Sequence, residues 1–374
     1  MPVIVDELEC ARRRTLDLLA PFDDDFLTAQ HSPLMSPLAW DLAHIGNYED
    51  LWLVRALGGD GVGPQHDDLY DAFRHPRADR PSLPLLSPSR ARAYVDEVRD
   101  RALSLLEREA TRAANPRLLD DGFVYGMVVQ HEHQHDETML ATLQLSGAVM
   151  HPGQGPRSTP APGSDMVFVP GGTASIGTSD VAWAYDNERP AHTVELAPYW
   201  IDATPVTNRA YEAFVASGGY DDERLWHPDG WQWRTREHAT APLFWNDDGS
   251  VLRFGHRIER DPDEPVQHVC WYEADAFARW AGTRLPTEAE WEHAAPAHTG
   301  EVWEWTSSTF DGWPGFASFP YREYSEVFFG PDYRVLRGGS WATEAPAIRP
   351  TFRNWDYPIR RQIFSGFRCA KDAA

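Results

Sequence analysis

Three histidines and three acidic residues lie in the short stretch from His131 to Glu137. Imidazoles and carboxylates are common metal ligands. On a helix, His131 and His135 are four residues apart, so both rings leave the same face, whereas His133 points elsewhere. Such a pair also arises by chance in a chain with 15 histidines. The pair alone therefore leaves metal binding open.

A third imidazole is available at His44, in segment 40–47, which also has the pattern of a helix. Across the interior of a helical bundle, His44 could face the first pair. Three neutral imidazoles leave coordination positions free for substrate and oxygen, as a catalytic rather than structural metal requires. Asp136 and Glu137 could form the polar face of the helix or could orient the ligand rings from behind.

Composition excludes several kinds of partner. The chain has 374 residues, enough for two domains, and a formal net charge of −23, which argues against nucleic acid and anionic membranes as partners. No apolar run is long enough for a membrane span, and the N-terminus lacks the layout of a signal peptide, so we expect a cytoplasmic protein, and a monomer. Three isolated cysteines, Cys10, Cys270 and Cys369, fit a reducing compartment.

The composition and hydrophobic pattern of the chain change at a Pro- and Gly-rich linker, residues 151–165. Residues 1–150 contain helix-length apolar periodicity at about 5–22, 37–57, 87–109 and 123–146. This pattern predicts an all-α four-helix bundle with His44 on the second helix and His131 and His135 on the fourth, so that a metal would lie in the bundle.

The second domain, residues 166–371, has short β-like runs such as 166–172, many Gly, Pro and Trp residues, and few helices. Helical spacing is present at 208–217 and 273–281. Thr287 is the predicted N-cap of a third helix, with Glu290 as its capping-box partner. We therefore expect an irregular α+β domain.

Motifs in both halves resemble known families. The histidine-bearing bundle resembles the DinB family, and motifs of the second half resemble the formylglycine-generating-enzyme fold, a C-type-lectin-like domain. Taken end to end, the chain resembles the EgtB-type sulfoxide synthases of ergothioneine biosynthesis, of the actinobacterial kind. The segments that carry these resemblances are 36–47 (SPLAWDLAHIGN), 205–208 (PVTN), 284–292 (RLPTEAEWE), 302–306 (VWEWT), 337–341 (RGGSW) and 352–361 (FRNWDYPIRR).

The resemblance implies a non-haem iron enzyme that joins hercynine and γ-glutamylcysteine with O2 into a thioether sulfoxide. It implies Fe2+ held by His44, His131 and His135. It also implies that Tyr321, one of two phenols in segment 319–326, is the proton donor that directs the reaction to carbon–sulfur bond formation rather than thiol oxidation.

The charges of these substrates indicate further contacts. γ-Glutamylcysteine carries two carboxylates and one ammonium group, which suit arginine forks and a buried acid, and hercynine carries a carboxylate and a permanent cation. Among Arg74, Arg77 and Arg80, the assignment of the substrate-binding arginines could shift by one arginine along the chain. We predict Arg77, Arg80, Asp356 and Arg360 for γ-glutamylcysteine, and Gln134, Tyr324, Asn354 and Trp355 for hercynine.

One segment departs from the family pattern. A long insertion normally separates the helix begun at Glu288 from the Trp-Glu-Trp motif, whereas here residues 294–301 pass almost directly between them. Three alternatives stay open: the same chemistry with free cysteine as the thiol donor, a formylglycine-type oxidase acting on a protein cysteine, and an inactive lectin-like binding module. The oxidase would need a cysteine pair that holds copper, and Cys369 has no such partner nearby in sequence.

Overall fold

Helices form the first half of the chain and short strands dominate the second. The computed structural model describes residues 2–107, 113, 115–151, 155–158, 166–296 and 298–373. Its contacts separate two units, Met1–Pro152 and Gly153–Ala374. Much of the predicted linker, and Ala297 in the shortened segment, lie outside the described residues.

The first unit is the predicted helical bundle. Its second long helix ends at Glu49 and continues as a π-helix over Asp50–Arg55, where the sequence pattern predicts one continuous helix. In the described part of the chain, no helix is both long and apolar enough to cross a membrane. The helices are α1 (Pro2–Leu19), α2 (Asp24–Thr28), α3 (Leu38–Glu49), α4 (Asp67–Tyr70), α5 (Pro88–Glu107) and α6 (Phe123–Ser146).

A buried ion network joins the four long helices. Arg12 of α1 lies 2.7 Å from Glu49 of α3 and 2.8 Å from Glu132 of α6. Arg99 of α5 contacts the same two carboxylates at 2.6 and 3.0 Å. Although burial alone would raise it, the two guanidinium groups hold the pKa of Glu132 below its usual value. Because each charge has two partners, the network fixes how the four helices are rotated against one another.

The described residues of the second unit contain four α-helices, of which three match predicted segments. The first is α7 (Asn208–Ala216), and α9 (Trp271–Trp280) begins two residues before the predicted range. The third, α10 (Glu288–Ala294), has the predicted capping box, since Glu290 N–H donates to Thr287 Oγ1 and Thr287 N–H donates to the Glu290 carboxylate. The sequence interpretation missed α8 (Pro228–Glu237), whose Pro-Asp-Gly start resembles a turn.

The strands of the second unit form small, mostly antiparallel sheets. The orders are β1-β4-β11, β10-β7-β8-β9, β2-β3 and β5-β6, and only the β10–β7 pair is parallel among the described strands. The strands are β1 (Met166–Val169), β2 (Gly172–Ile176), β3 (His192–Leu196), β4 (Tyr199–Asp202), β5 (Ser250–Arg253), β6 (His256–Glu259), β7 (Trp303–Phe310), β8 (Gly330–Arg337), β9 (Asn354–Asp356), β10 (Ser365–Gly366) and β11 (Ala370–Asp372).

Buried arginine–glutamate pairs hold these small sheets to the helices. Arg353 Nε lies 2.8 Å from the Glu288 carboxylate on α10, and Arg368 pairs with Glu304 on β7. The side chains of both arginines are fully buried. Short strands bury too little apolar surface to fix such a fold, so these pairs set the positions of the loops between them.

Candidate metal centre

The first unit brings the three predicted histidines together. One ring nitrogen from each of His44, His131 and His135 lies within 4.8 Å of the others. His44 is on α3, whereas the other two are one turn apart on α6, and the ring centroids are 4.6 to 5.1 Å apart. Three imidazoles that converge from two packed helices form a site for one divalent metal ion with positions left for other ligands.

The far nitrogen of two of these rings has a defined partner. His44 Nδ1 donates to the backbone carbonyl of Tyr70 at 2.7 Å, because a carbonyl can only accept. His135 Nδ1 lies 3.3 Å from Asp41 Oδ1. The His44 bond leaves the lone pair of its Nε2 free, and the carboxylate near His135 favours the same tautomer there, which is the usual way in which outer groups orient metal-binding histidines.

Aromatic rings fix the planes of the imidazoles. His131 stacks on Tyr48 with centroids 3.7 Å apart and planes 9° apart, and His44 stacks on Trp40 at 4.8 Å and 12°. Trp40, His44 and Tyr48 are spaced four residues apart on α3, so they share one face of the helix. The ligand rings are therefore held before any metal binds.

Burial favours the neutral form of two of the three histidines. It lowers the pKa of His44 and His131 well below the usual value, and the neighbouring His135 lowers both further. The neutral imidazole is the form that coordinates a metal, so these two ligands do not need to lose protons at neutral pH.

The other residues of this α6 segment face elsewhere. His133 is buried with Nδ1 3.3 Å from Asp136 Oδ2, and Asp136 also accepts from Thr15 Oγ1 at 2.7 Å. These residues belong to the interior of the bundle on the side of the ion network. Gln134, predicted to contact hercynine, is half-buried between the two histidines of α6.

The structure gives the candidate arginines different surroundings. Arg80 is buried and donates to Ser36 Oγ and to the carbonyls of Ala72 and His75. Its guanidinium carbon lies 3.5 Å from the centroid of the Trp40 ring that stacks on His44. Arg77 is half-buried and donates to the Leu34 carbonyl at 2.8 Å, and Arg74 is exposed beside Asp68.

In the second unit, the predicted site residues form an aromatic group and a separate ion pair. Tyr321 and Tyr324 have ring centroids 6.1 Å apart at 82°, and Tyr324 meets Trp355 edge-on at 6.3 Å. Asn354, Trp355 and Asp356 form β9, and Arg360 Nε lies 3.5 Å from Asp356 Oδ1. The structure thus brings together side chains from segments 319–326 and 352–361.

Sequence interpretation gave no role to several residues that support these groups. Asp41, Trp40 and Tyr48 lie in or beside segment 36–47, and their spacing to His44 was a usable signal. Asp186, by contrast, contacts the loop that carries Tyr321 from more than 130 positions away in the chain. Local sequence contains no signal for such a contact.

Comparisons with known families agree with the two-part architecture. Residues 7–139 match the DinB superfamily, and residues 153–299 and 297–373 match the sulfatase-modifying factor enzyme 1-like domain. The second family model is matched in two pieces that meet at 297–299, within the segment predicted to be shortened.

Relatives align over nearly the whole chain. A protein of Mycolicibacterium thermoresistibile named hercynine oxygenase is 46% identical over 97% of this chain and 93% of its own length. One of the same name from Mycolicibacterium smegmatis is 44% identical over 99% of this chain and 98% of its own. A formylglycine-generating enzyme of Streptomyces coelicolor is 32% identical and covers 59% of this chain and 93% of its own length. The first alignment spans 428 positions, more than the 374 residues here, so that relative has residues that this chain lacks.

Proposed function

The chain belongs to the hercynine oxygenase family of oxygen-dependent oxidoreductases, and we propose that it joins hercynine to γ-glutamylcysteine with O2 to give γ-glutamyl-hercynylcysteine S-oxide. One oxygen atom ends in the sulfoxide and the other in water. The observation that carries the proposal is the convergence of His44, His131 and His135 in a chain of this family.

Fe2+ is the proposed cofactor. The donor set fits it, because three imidazoles converge on one point, and two of them, His44 and His135, have Nδ1 turned to the Tyr70 carbonyl and to Asp41, which leaves their Nε2 atoms for the ion. When bound, ferrous iron supplies a centre at which thiolate, imidazole and O2 can meet in fixed orientation. The chain supplies the orientation of the substrates, the exclusion of water and a proton.

Tyr321 is the proposed proton donor. A phenol carries an O–H donor, so Tyr321 can donate a proton from its hydroxyl oxygen. Delivery of this proton favours carbon–sulfur bond formation over oxidation of the thiol to a sulfinate. Tyr324 is proposed to line the hercynine pocket beside Trp355, which offers a π-face to the trimethylammonium group.

The remaining proposed contacts follow from charge. Arg77 and Arg360 suit the carboxylates of γ-glutamylcysteine, and Asp356 suits its ammonium group. Arg80 completes this set in the proposal. Because it also stacks on Trp40, it helps to hold the ring that packs against His44. Gln134 and Asn354 are proposed as amide donors to the hercynine carboxylate.

The test is anaerobic reconstitution with Fe2+, followed by O2 uptake and product mass with hercynine plus either γ-glutamylcysteine or free cysteine. We expect the sulfoxide conjugate with γ-glutamylcysteine. A conjugate formed only with free cysteine would show that cysteine, and not γ-glutamylcysteine, is the thiol donor. Bound iron without any conjugate would contradict the proposed activity. His44→Ala should lose iron, whereas His238→Ala, an exposed histidine of the second unit, should retain it.

A formylglycine-type oxidase is the second candidate, because a relative with that name aligns with the second unit. That chemistry needs reactive thiols. Cys270 and Cys369 are both buried, and burial, followed by the nearby carboxylates Glu273 and Asp202 respectively, raises their pKa well above the usual value. Buried, protonated thiols are poor copper ligands, so these surroundings favour the sulfoxide synthase.

A further inference from the structure

We propose that Asp186 is a positioning residue that holds the tyrosine loop, residues 319–325, by both of its ends. The tyrosine loop carries Tyr321 and Tyr324, so the functional part of this inference rests on the proposed function. Asp186 itself need not touch a substrate. Its effect on the reaction would pass through the placement of the Tyr321 hydroxyl.

The contacts are specific to the two ends of the loop. Asp186 Oδ2 accepts the backbone N–H of Phe319 at 3.0 Å, and Oδ1 accepts the hydroxyl of Ser325 at 2.7 Å. Both carboxylate oxygens are therefore used, and each binds a different end. Asp186 and Ser325 are both buried, so water does not compete readily for these bonds.

The turn that bears Asp186, residues 185–188, is held by contacts with residues outside the tyrosine loop. Glu188 accepts the backbone N–H of Tyr185 at 2.8 Å and is paired with Arg349, whose Nε lies 2.8 Å from Glu188 Oε2. The Asn187 carbonyl accepts from Arg353 NH1, also at 2.8 Å. Because the buried Arg353 and the half-buried Arg349 fix the turn that bears Asp186, the carboxylate presents a fixed anchor.

Two of the bonds that the tyrosine loop makes are weak. Its one-turn 3-10 helix has a long backbone bond, 3.4 Å from Tyr324 N to Tyr321 O. The Arg322–Glu326 pair is 3.2 Å long, and the Arg322 side chain is 69% exposed, so this pair contributes little. The Tyr324 ring stacks on Tyr185 at 4.2 Å, which again anchors the loop to the residue beside Asp186.

Burying an ionised carboxylate costs free energy, so a carboxylate at this position indicates that its hydrogen bonds to the loop are needed. Burial raises the pKa of Asp186 to about 6, although bonds from Ser325, Phe319 and Asn187 oppose the rise, and Glu326 adds to it. A neutral side chain would pack at this position with less penalty. The two ends of the loop require a side chain with two hydrogen-bonding atoms, and Asp186 supplies them.

The experiment compares Asp186→Ala, Asp186→Asn and Ser325→Ala with Glu323→Ala, an exposed carboxylate of the same loop. Hydrogen exchange of peptides that cover 319–325 is measured in the full-length protein. We expect exchange to be faster by about tenfold or more in Asp186→Ala and by less in Ser325→Ala, since each loses bonds to a charged acceptor. Asp186→Asn keeps an acceptor for Phe319 and a donor for Ser325, so it should stay near wild type, as should Glu323→Ala.

Product analysis of the same iron-loaded variants tests the positional role. Asp186→Ala should shift product from sulfoxide conjugate toward oxidised thiol with unchanged iron affinity, and Asp186→Asn should restore most of the conjugate. Wild-type exchange in both Asp186→Ala and Ser325→Ala would overturn the proposal, as would faster exchange with unchanged products. If instead Tyr321→Phe leaves the products unchanged, the role of Tyr321 fails, and hydrogen exchange alone still decides whether Asp186 holds the loop.

Discussion

Asp41 Oδ1 lies 3.3 Å from Nδ1 of His135, and both groups are enclosed by the helical bundle. Asp41 is on α3 with His44, so one helix supplies a candidate ligand and the carboxylate that orients another. A carboxylate in this position fixes the imidazole tautomer and strengthens its free nitrogen as a donor.

Asp41→Ala should therefore weaken Fe2+ binding by about 10- to 100-fold, the usual effect of losing an outer contact to a ligand histidine. Anaerobic titration of the apoprotein with Fe2+ measures this affinity without any turnover. Asp17→Ala, an exposed position on α1, is the matched control. Equal affinities in all three proteins would show that Asp41 does not orient His135.

Tyr321→Phe should keep iron and substrate binding but divert product from the sulfoxide conjugate to oxidised thiol, because only the phenolic proton is removed. Product ratios by mass spectrometry under saturating O2 measure the effect. Tyr324→Phe removes the other phenolic hydroxyl of the tyrosine loop and should change the KM for hercynine rather than the ratio. An unchanged ratio in Tyr321→Phe would remove it from the proposed role.

Arg99→Ala should destabilise the first unit by about 3–5 kcal/mol, since it leaves Glu49 and Glu132 buried, each with one of its two arginine partners. Urea denaturation followed by circular dichroism reports the change in the free energy of unfolding. Arg90→Ala, exposed on the same helix, should change it by less than about 0.5 kcal/mol. A small effect at Arg99 would mean that the helices are fixed by apolar packing alone.

Stability should depend on pH through Asp202. Burial, with a smaller contribution from Glu304, raises the pKa of its carboxyl to about 6 although the Cys369 amide and Arg368 oppose the rise. The folded protein therefore binds more protons than the unfolded chain between about pH 4 and 6. The stabilisation associated with this proton is complete below about pH 4 and is lost as the pH rises through about 6.

Asp202→Asn cannot titrate, so its free energy of unfolding relative to wild type should rise by up to about 3 kcal/mol from pH 4 to pH 7. Denaturant unfolding at a series of pH values measures this difference. Asp332→Asn, an exposed control, should give a flat difference. A flat difference for Asp202→Asn as well would contradict the raised pKa.

Sequence alone determined the elements whose signals are local. The four long helices, the spacing that puts His131 and His135 on one face of α6, and the Thr287–Glu290 capping box all depend on residues a few positions apart. Such interactions are encoded in periodicity and in the types of neighbouring residues. The motifs of the two halves were also sufficient to predict the family and the fold class.

Only the tertiary structure decided which distant side chains meet. It brought His44 to the pair on α6, placed Asp41 behind His135, and enclosed Arg80 against Trp40. It also joined Asp186 to the ends of the tyrosine loop. These contacts depend on how helices and loops pack, and packing is set by the whole core rather than by local spacing.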